Sequence, residues 1–177
     1  MGKSALKYPV TKIALISDTH GFLDNQLLSL LAAADEIWHA GDIGAITVLD
    51  QLKSLGKKIR AVHGNIDNAD VRLEAPAQLQ WELEGKKFLM VHIGGYPGHY
   101  AKGMKDLLHE IRPDVFICGH SHILKVIFDK ELNLLHLNPG ASGKEGFHPV
   151  RTMLRFSLDQ GQIRDMAVVE LGKRVKE

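Results

Sequence analysis

Seven side chains that can bind metal ions stand directly after apolar runs in this sequence of 177 residues. Four are imidazoles, two are carboxylates and one is a carboxamide, and no thiolate stands among them. In chain order they are Asp18, His20, Asp42, Asn65, His92, His120 and His122. The first two and the last two are each separated by one residue, so in an extended segment both members of a pair point to one side. The set could therefore hold divalent cations.

Oxygen and nitrogen donors of this kind suit transition-metal ions. They match manganese, iron, cobalt, nickel or zinc better than calcium, magnesium or a structural zinc site built from cysteine. Seven donors exceed what one tetrahedral or octahedral ion needs, and an aspartate can bridge two ions. We therefore expect two divalent metal ions, and the donors leave manganese, nickel, zinc, iron and cobalt open.

The apolar runs that precede these side chains are typical of buried strands. Each contains four to seven residues rich in Ile, Val, Leu, Phe or Ala. In open α/β sheets, ligands bind outside the carboxyl ends of the strands, where loops from several strands meet. We expect the seven side chains to converge at such an edge.

The first part of the chain predicts strands that alternate with helices. The expected elements are strands from residue 12 and over 36–40 and 58–63, and helices over 24–34 and 45–55. Asp24 can cap the first helix, and Gly56 can end the second. This order predicts parallel strands joined by right-handed crossovers.

The second part predicts one helix and several further strands. The polar stretch 67–80 is expected to be a loop over the site, and residues 94–98 a glycine-rich loop. The other expected elements are a hairpin of 79–83 and 87–91, a helix over 104–111, and strands over 114–118, 125–128, 134–137, 152–158 and 163–171. The chain thus predicts an α/β fold of two packed sheets flanked by helices. We expect a single domain over 1–177, with its core at about 12–171 and a short leader at 1–10.

The composition argues against several classes of protein. The formal net charge is +1 and the basic residues are scattered, which indicates no nucleic-acid surface. No apolar run is long enough to cross a membrane and the N-terminus lacks the apolar core of a signal peptide, so we expect a cytoplasmic protein. Cys118 is the single cysteine and cannot form an intramolecular disulfide. A homo-oligomer formed through exposed strand edges or an apolar patch around Trp81 stays open.

Five motifs, in this order and spacing, resemble those of the calcineurin-like metallophosphoesterase family: Asp18-x-His20, Gly41-Asp42, Gly64-Asn65, His92 and Gly119-His-Ser-His122. The resemblance covers about residues 12–158, and the short chain is similar to the small bacterial and archaeal phosphodiesterase branch. It implies a four-layer α/β/β/α sandwich of two mixed sheets, with a two-metal centre at the carboxyl ends of the strands. By position, one ion would be held by Asp18, His20, Asp42 and His122, and the other by Asp42, Asn65, His92 and His120. Asp42 would then bridge the two ions.

The resemblance also implies an activity. The expected reaction is hydrolysis of a small-molecule phosphoester, with diesters favoured over monoesters, by in-line attack of a hydroxide activated by two metals. Asp42 and Asn65 would take part directly as ligands of the reacting centre. A phosphomonoesterase is one alternative. A second alternative is a non-catalytic metal-binding scaffold, similar to the retromer subunit of the same fold, which acts through protein contacts.

One position departs from the pattern of larger relatives. They carry histidine after the Gly-Asn pair, where it can protonate the leaving oxygen, whereas this chain has Ile66. The absence of this histidine could favour substrates with good leaving groups, or another group could supply the proton, for which His99 is the candidate. Asp67 could orient Asn65 or a ligand histidine by a hydrogen bond. His39 is expected to pack or to support a ligand, and His63 could be structural or could contact phosphate.

Overall fold

Two five-stranded sheets lie face to face in the computed structural model, which describes residues 9–174. The elements are β1 (Thr11–Ile16), α1 (Asn25–Ala32), β2 (Glu36–His39), α2 (Ile46–Ser54), β3 (Lys58–Ala61), α3 (Ala69–Glu74), β4 (Gln78–Leu83), β5 (Lys86–Val91), β6 (Gly95–Tyr96), β7 (His99–Tyr100), α4 (Met104–Ile111), β8 (Val115–Ile117), β9 (Leu124–Asp129), β10 (Leu134–Pro139), β11 (Val150–Asp159) and β12 (Gln162–Lys173). The leader predicted at 1–10 lies outside the described residues, except for its last two positions.

Both sheets are mixed, as predicted. The first has the order β12-β11-β1-β2-β3, in which β1, β2 and β3 are parallel and β11 runs antiparallel to β1. The second has the order β4-β5-β8-β10-β9, with a parallel centre and antiparallel edges. The parallel strands of each sheet therefore end at a common edge, where the loops that carry the predicted ligands begin.

Three apolar clusters give the four layers of the sandwich. Alternation along β1 sends Ile13 and Leu15 into the cluster between the sheets, and Ala14 and Ile16 into the cluster under α1 and α2. A third cluster packs α4 against the outer face of the second sheet. The predicted α/β/β/α sandwich is confirmed.

Trp81 is partly buried against the apolar cluster between the sheets. Its ring centroid lies 4.9 Å from that of Trp38 and 5.2 Å from that of Phe88, and the Arg60 guanidinium covers it at 4.9 Å. A homo-oligomer formed around Trp81 stays a prediction.

The stretch 67–80 differs from the predicted loop, because it contains the short helix α3. The Asn68 side chain caps this helix by accepting a hydrogen bond from the Val71 amide at 3.2 Å. Val71 is buried while Leu73 is 87% exposed, so one buried side chain docks the helix. A single apolar anchor gives no helical periodicity, which is why the sequence did not predict it.

Residues 94–98, predicted as a glycine-rich loop, include the first strand and the turn of a small hairpin, in which β6 pairs with β7. Within residues 9–174, no helix is long and apolar enough to span a membrane.

Candidate metal centre

Five of the seven predicted ligands have a left-handed backbone conformation. The φ angles are 53° at Asp18, 49° at His20, 52° at Asp42, 67° at His120 and 58° at His122. This region costs a residue with a side chain about 1–2 kcal/mol, so such residues cluster where the structure requires a particular direction of the side chain. The strand ends therefore turn sharply and direct these side chains toward one place.

The first ligand group comprises Asp18, His20 and His122. Each offers one donor atom, and the three atoms lie within 4.8 Å of one another. His122 Nε2 is 3.2 Å from Asp18 Oδ1 and 3.3 Å from His20 Nε2. The arrangement brings together residues from the ends of β1 and β8.

The second group comprises Asp42, His92 and His120, whose donor atoms also lie within 4.8 Å of one another. Asp42 Oδ1 is 3.2 Å from His92 Nε2, and Asp42 Oδ2 is 3.8 Å from His20 Nε2 in the first group. The two oxygens of one carboxylate thus face different groups, which is the geometry that a bridging ligand needs.

The side chains present fit divalent cations. Asp18 Oδ1 and His92 Nε2 are buried, and neither has a hydrogen-bond partner within residues 9–174. Buried polar atoms are almost always paired, so two such atoms without hydrogen bonds, 3.9 Å apart, favour a bound ligand. A cation beside each would satisfy the carboxylate oxygen and the imidazole nitrogen together.

Asn65 is held beside these groups by its neighbours in the chain. The Gly64 amide donates to Asp67 Oδ2 at 2.7 Å, and the Ile66 amide donates to Asp42 Oδ1 at 3.1 Å. The backbone on both sides of Asn65 is therefore fixed, and the exposed Asn65 lines the same cleft as His92 of the second group.

Asp67 connects two ligand loops through backbone amides. Besides Gly64, its buried carboxylate accepts from Ile43 at 3.1 Å and from Gly44 at 2.6 Å. The contact differs from the predicted one, because the partners are main-chain N–H groups and not the Asn65 side chain or a ligand histidine. Asp67 still positions Asn65, by fixing its loop against the loop that follows Asp42.

Glycine precedes both Asp42 and Asn65 because side chains approach these positions closely. A Cβ at Gly41, where φ is +96°, would lie 2.5 Å from His92 Nδ1. A Cβ at Gly64 would lie 2.0 Å from Asp42 Oδ1. The Gly-Asp and Gly-Asn pairs of the sequence therefore reflect packing within the centre.

Asp42 and His92 shift each other's pKa in opposite directions. Burial would raise the pKa of Asp42, but its contact with His92 and the Ile66 amide bring the net pKa below the usual value. Burial would lower the pKa of His92, yet Asp42, Asp18 and the Ala40 carbonyl raise it overall. His92 Nδ1–H donates to that carbonyl at 2.8 Å, which leaves Nε2 directed at the centre.

His39 is a buried support and not a ligand. Burial, opposed by Asp18 and Asp67, lowers its pKa to about 4. Nδ1 accepts from the Gly41 amide at 3.2 Å, and Nε2 lies 2.8 Å from the Thr19 hydroxyl, whose proton goes to the Ile43 carbonyl. A neutral ring thus connects the tips of β1 and β2, in agreement with its predicted packing or supporting role.

Two supporting residues were missed by sequence reasoning. Glu145 Oε2 lies 3.4 Å from His20 Nδ1, and the Glu145 side chain is 71% exposed. Asn138 donates to the Gly119 carbonyl at 2.9 Å and lies 3.1 Å from Ser121 Oγ, which holds the turn that carries His120 and His122. An exposed glutamate in a loop gives no pattern. Asn138 directly follows the strand predicted over 134–137, as the predicted ligands follow theirs, and could have been found by that signal, although the observed strand β10 includes it.

His99 lies on β7 and is exposed, with its ring centroid 5.0 Å from that of Tyr96. Among the described residues it makes no hydrogen bond or ion pair with a predicted ligand. Its role as a proton donor stays a prediction. His63 donates its Nδ1–H to the Ala75 carbonyl at 2.8 Å, which anchors the ring beside Asn65.

Comparison with known proteins agrees with this geometry. Residues 11–161 match the family model of the calcineurin-like phosphoesterase superfamily domain. A probable metallophosphoesterase of Methanothermobacter thermautotrophicus is 30% identical over 135 residues, which cover 73% of this chain and 76% of that protein.

Two solved structures illustrate the range of proteins with this fold. A novel archaeal phosphodiesterase superposes with a TM-score of 0.71 at 23% identity, covering 90% of this chain and 99% of that one. Vps29 of Entamoeba histolytica complexed with zinc superposes with a TM-score of 0.66 at 16% identity, covering 90% and 98%. At these identities the likeness concerns the fold alone.

Proposed function

The chain belongs to the calcineurin-like phosphoesterase superfamily, and from this membership we propose that it is a metal-dependent phosphodiesterase acting on a small-molecule phosphoester. The observation that carries the proposal is the pair of three-residue ligand groups with the Asp42 carboxylate between them. A single structural ion would need only one such group. Two adjoining groups that share a carboxylate suit a centre for hydrolysis.

Two divalent ions, with manganese as the proposed pair, would lower the pKa of a shared water for in-line attack on phosphorus and offset the charge that develops on the phosphoryl oxygens. Asp18, His20, Asp42 and His122 would hold one ion. Asp42, Asn65, His92 and His120 would hold the other. Two buried carboxylates against two divalent cations leave the centre with a formal excess of positive charge, so an anionic phosphate is attracted to it.

A cleft beside the second group supports a diester as substrate. It has a volume of about 360 Å³, and its lining includes Asn65 and His92. A diester carries a second organic substituent on phosphorus, and the cleft offers room for it next to the ligands. The archaeal phosphodiesterase of the same fold is in line with this choice.

We propose His99 as the donor of the proton to the leaving oxygen. Ile66 stands where larger relatives carry histidine, and its side chain cannot transfer a proton. The β6–β7 hairpin that bears His99 begins three residues after His92, so only a short segment of chain separates the hairpin from the centre.

The test is hydrolysis of bis-p-nitrophenyl phosphate by metal-stripped protein to which Mn²⁺, Ni²⁺ or Zn²⁺ has been returned, with p-nitrophenyl phosphate assayed beside it. We expect faster hydrolysis of the diester. Asn65→Ala and His92→Ala should each remove most turnover, while Leu73→Ala, an exposed position on α3, should retain it.

Faster hydrolysis of the monoester would indicate the phosphomonoesterase. Bound metal without hydrolysis of either ester would favour a metal-binding interaction scaffold. That alternative is carried by the Vps29 neighbour, whose fold is shared.

A further inference from the structure

The cleft beside Asn65 contains a guanidinium group that forms no ion pair with a carboxylate among residues 9–174. Arg72, on α3, lines the cleft together with Asn65 and His92. Its Nε donates to the Asp67 carbonyl at 2.7 Å, and its Nη2 lies 3.5 Å from the Gly64 and Asn65 carbonyls. All these partners are neutral main-chain oxygens.

The acidic side chains near Arg72 have other partners or directions. The Asp67 carboxylate is engaged by three backbone amides. Glu74 pairs with Lys53 at 2.7 Å. Asp70 is two positions away on the same helix, and residues at that spacing do not face each other. Within residues 9–174, Arg72 therefore forms no salt bridge. Its side chain is held in position by main-chain carbonyls and not by a carboxylate.

The lining of the cleft also includes the apolar side chains of Val91, Ile93 and Met104 and the polar side chains of His63 and Gln78. A ligand that fills the cleft could place an uncharged body against the apolar side chains. An anionic group on that body could then meet the guanidinium next to Asn65. Arginine favours phosphate because its planar fork can donate two parallel hydrogen bonds to it.

On the basis of the proposed phosphodiesterase activity, we propose that this cleft binds the organic substituent of a phosphodiester that carries a second phosphate, and that Arg72 recognises the second phosphate. The centre would bind the reacting phosphate and the cleft would select for the second one. Arg72 is thus a specificity-determining residue, and substrates with two phosphate groups on one organic body, such as nucleoside bisphosphate esters, form the predicted class.

The kinetic test compares two esters that differ in one group, thymidine 5′-(p-nitrophenyl phosphate) and the same ester with a 3′-phosphate. The Mn²⁺-loaded full chain should have a KM for the 3′-phosphorylated ester lower by about tenfold or more, as expected for a charge-assisted hydrogen bond. Arg72→Ala should abolish this preference and Arg72→Lys should retain part of it, while Leu73→Ala on the same helix should leave it unchanged. Equal KM values in the unaltered protein, or an equal loss of kcat/KM for both esters in Arg72→Ala, would overturn the proposal, because the second outcome indicates a purely structural residue.

A binding measurement separates this proposal from the proposed activity. Thymidine 3′,5′-bisphosphate and thymidine 5′-monophosphate are titrated calorimetrically into the Mn²⁺-loaded protein. The first outcome is that neither ester of the kinetic test is hydrolysed, while the bisphosphate binds the unaltered protein, but not Arg72→Ala, about tenfold more tightly than the monophosphate does. The cleft assignment then stands and the proposed phosphodiesterase activity is wrong. If both nucleotides bind equally, the cleft assignment fails whatever the activity.

Discussion

Asp42 Oδ1 lies 3.2 Å from His92 Nε2, between residues delivered by different sheets. The contact joins the end of β2 to the end of β5, and the other Asp42 oxygen faces His20. One carboxylate therefore connects both candidate ligand groups, and its loss should lower the affinity for metal at both.

Asp42→Asn should weaken binding at both groups, because the neutral amide offers one oxygen where the carboxylate offers two. In the unaltered protein, free Mn²⁺ at a hundred times its Kd should stabilise the fold by about 2.7 kcal/mol per site. Thermal unfolding with and without Mn²⁺, and equilibrium dialysis for the number of bound ions, measure the effect. His122→Ala is the comparison, since it removes a ligand of one group and should leave one ion bound. Two ions bound to Asp42→Asn would contradict the bridging role.

Glu145→Gln should lower the affinity of the first group by about tenfold. A carboxylate that accepts the second N–H of a ligand imidazole orients the ring and makes it a better donor, and loss of such a partner costs 10- to 100-fold. The smaller value is expected because the side chain is 71% exposed. Metal titration followed by calorimetry checks this. Glu131→Gln, at an exposed glutamate paired with Lys105, should have no effect, and equal affinities in the two variants would exclude the role.

His99→Gln should reduce turnover of substrates with a poor leaving group much more than turnover of substrates with a good one. General acid catalysis contributes about 10²–10⁴-fold for a poor leaving group and little for p-nitrophenolate, which needs no proton at neutral pH. Turnover of a methyl p-nitrophenyl diester should therefore change little, while that of a dialkyl diester should fall strongly. A uniform decrease on both substrates would remove His99 from the proton-transfer step.

Asp67→Asn should destabilise the fold by about 2–3 kcal/mol, because three amides lose a charged acceptor and the new NH₂ group faces an N–H donor. Urea unfolding of the metal-free protein measures the change. Asp50→Asn on the exposed surface of α2 is the matched control and should alter stability little. Unchanged stability in Asp67→Asn would show that the two loops hold together without this carboxylate.

His136 should make stability depend on pH. Burial first, then Lys125, lowers its pKa from 6.5 to about 4, while Asp129 opposes the shift. The unfolded chain then binds a proton more readily than the folded one, so this contribution is complete above the unfolded pKa and is lost as pH falls from about 6.5 toward 4. The loss between about pH 7 and pH 5 should be about 2 kcal/mol.

His136→Phe should flatten that dependence, since neither ring nitrogen of His136 has a hydrogen-bond partner within the described residues. Urea unfolding at a series of pH values gives the difference between the two proteins. His109→Gln, at an exposed position of α4, should retain the dependence of the unaltered chain. An equal slope in His136→Phe and the unaltered chain would refute the assignment.

The layers of the sandwich, and the six side chains that meet in the two candidate metal-binding groups, could be predicted from the amino-acid sequence. Asp18, Asp42 and His92 each follow a run of apolar residues, and burial of such runs in parallel strands brings their ends to one edge of a sheet. Each position can therefore be recognised from its immediate neighbours in the sequence. Residues 13–16 are all apolar, so the sequence predicted a buried strand, and both faces of β1 are buried in apolar clusters.

The contacts that support the candidate metal centre, and the cleft beside it, could not be predicted from the sequence, because they depend on the tertiary structure. The donation of the Ile43 and Gly44 amides to Asp67, the approach of Glu145 to His20 and the cleft that Arg72 shares with His92 all join segments that are distant in sequence. A single Asp, Glu or Arg belongs to no repeating sequence pattern. Its partner depends on how distant segments pack and not on its neighbours in the chain. Helix α3 was missed for the same reason, because one buried valine docks it against a surface built by residues far away in sequence.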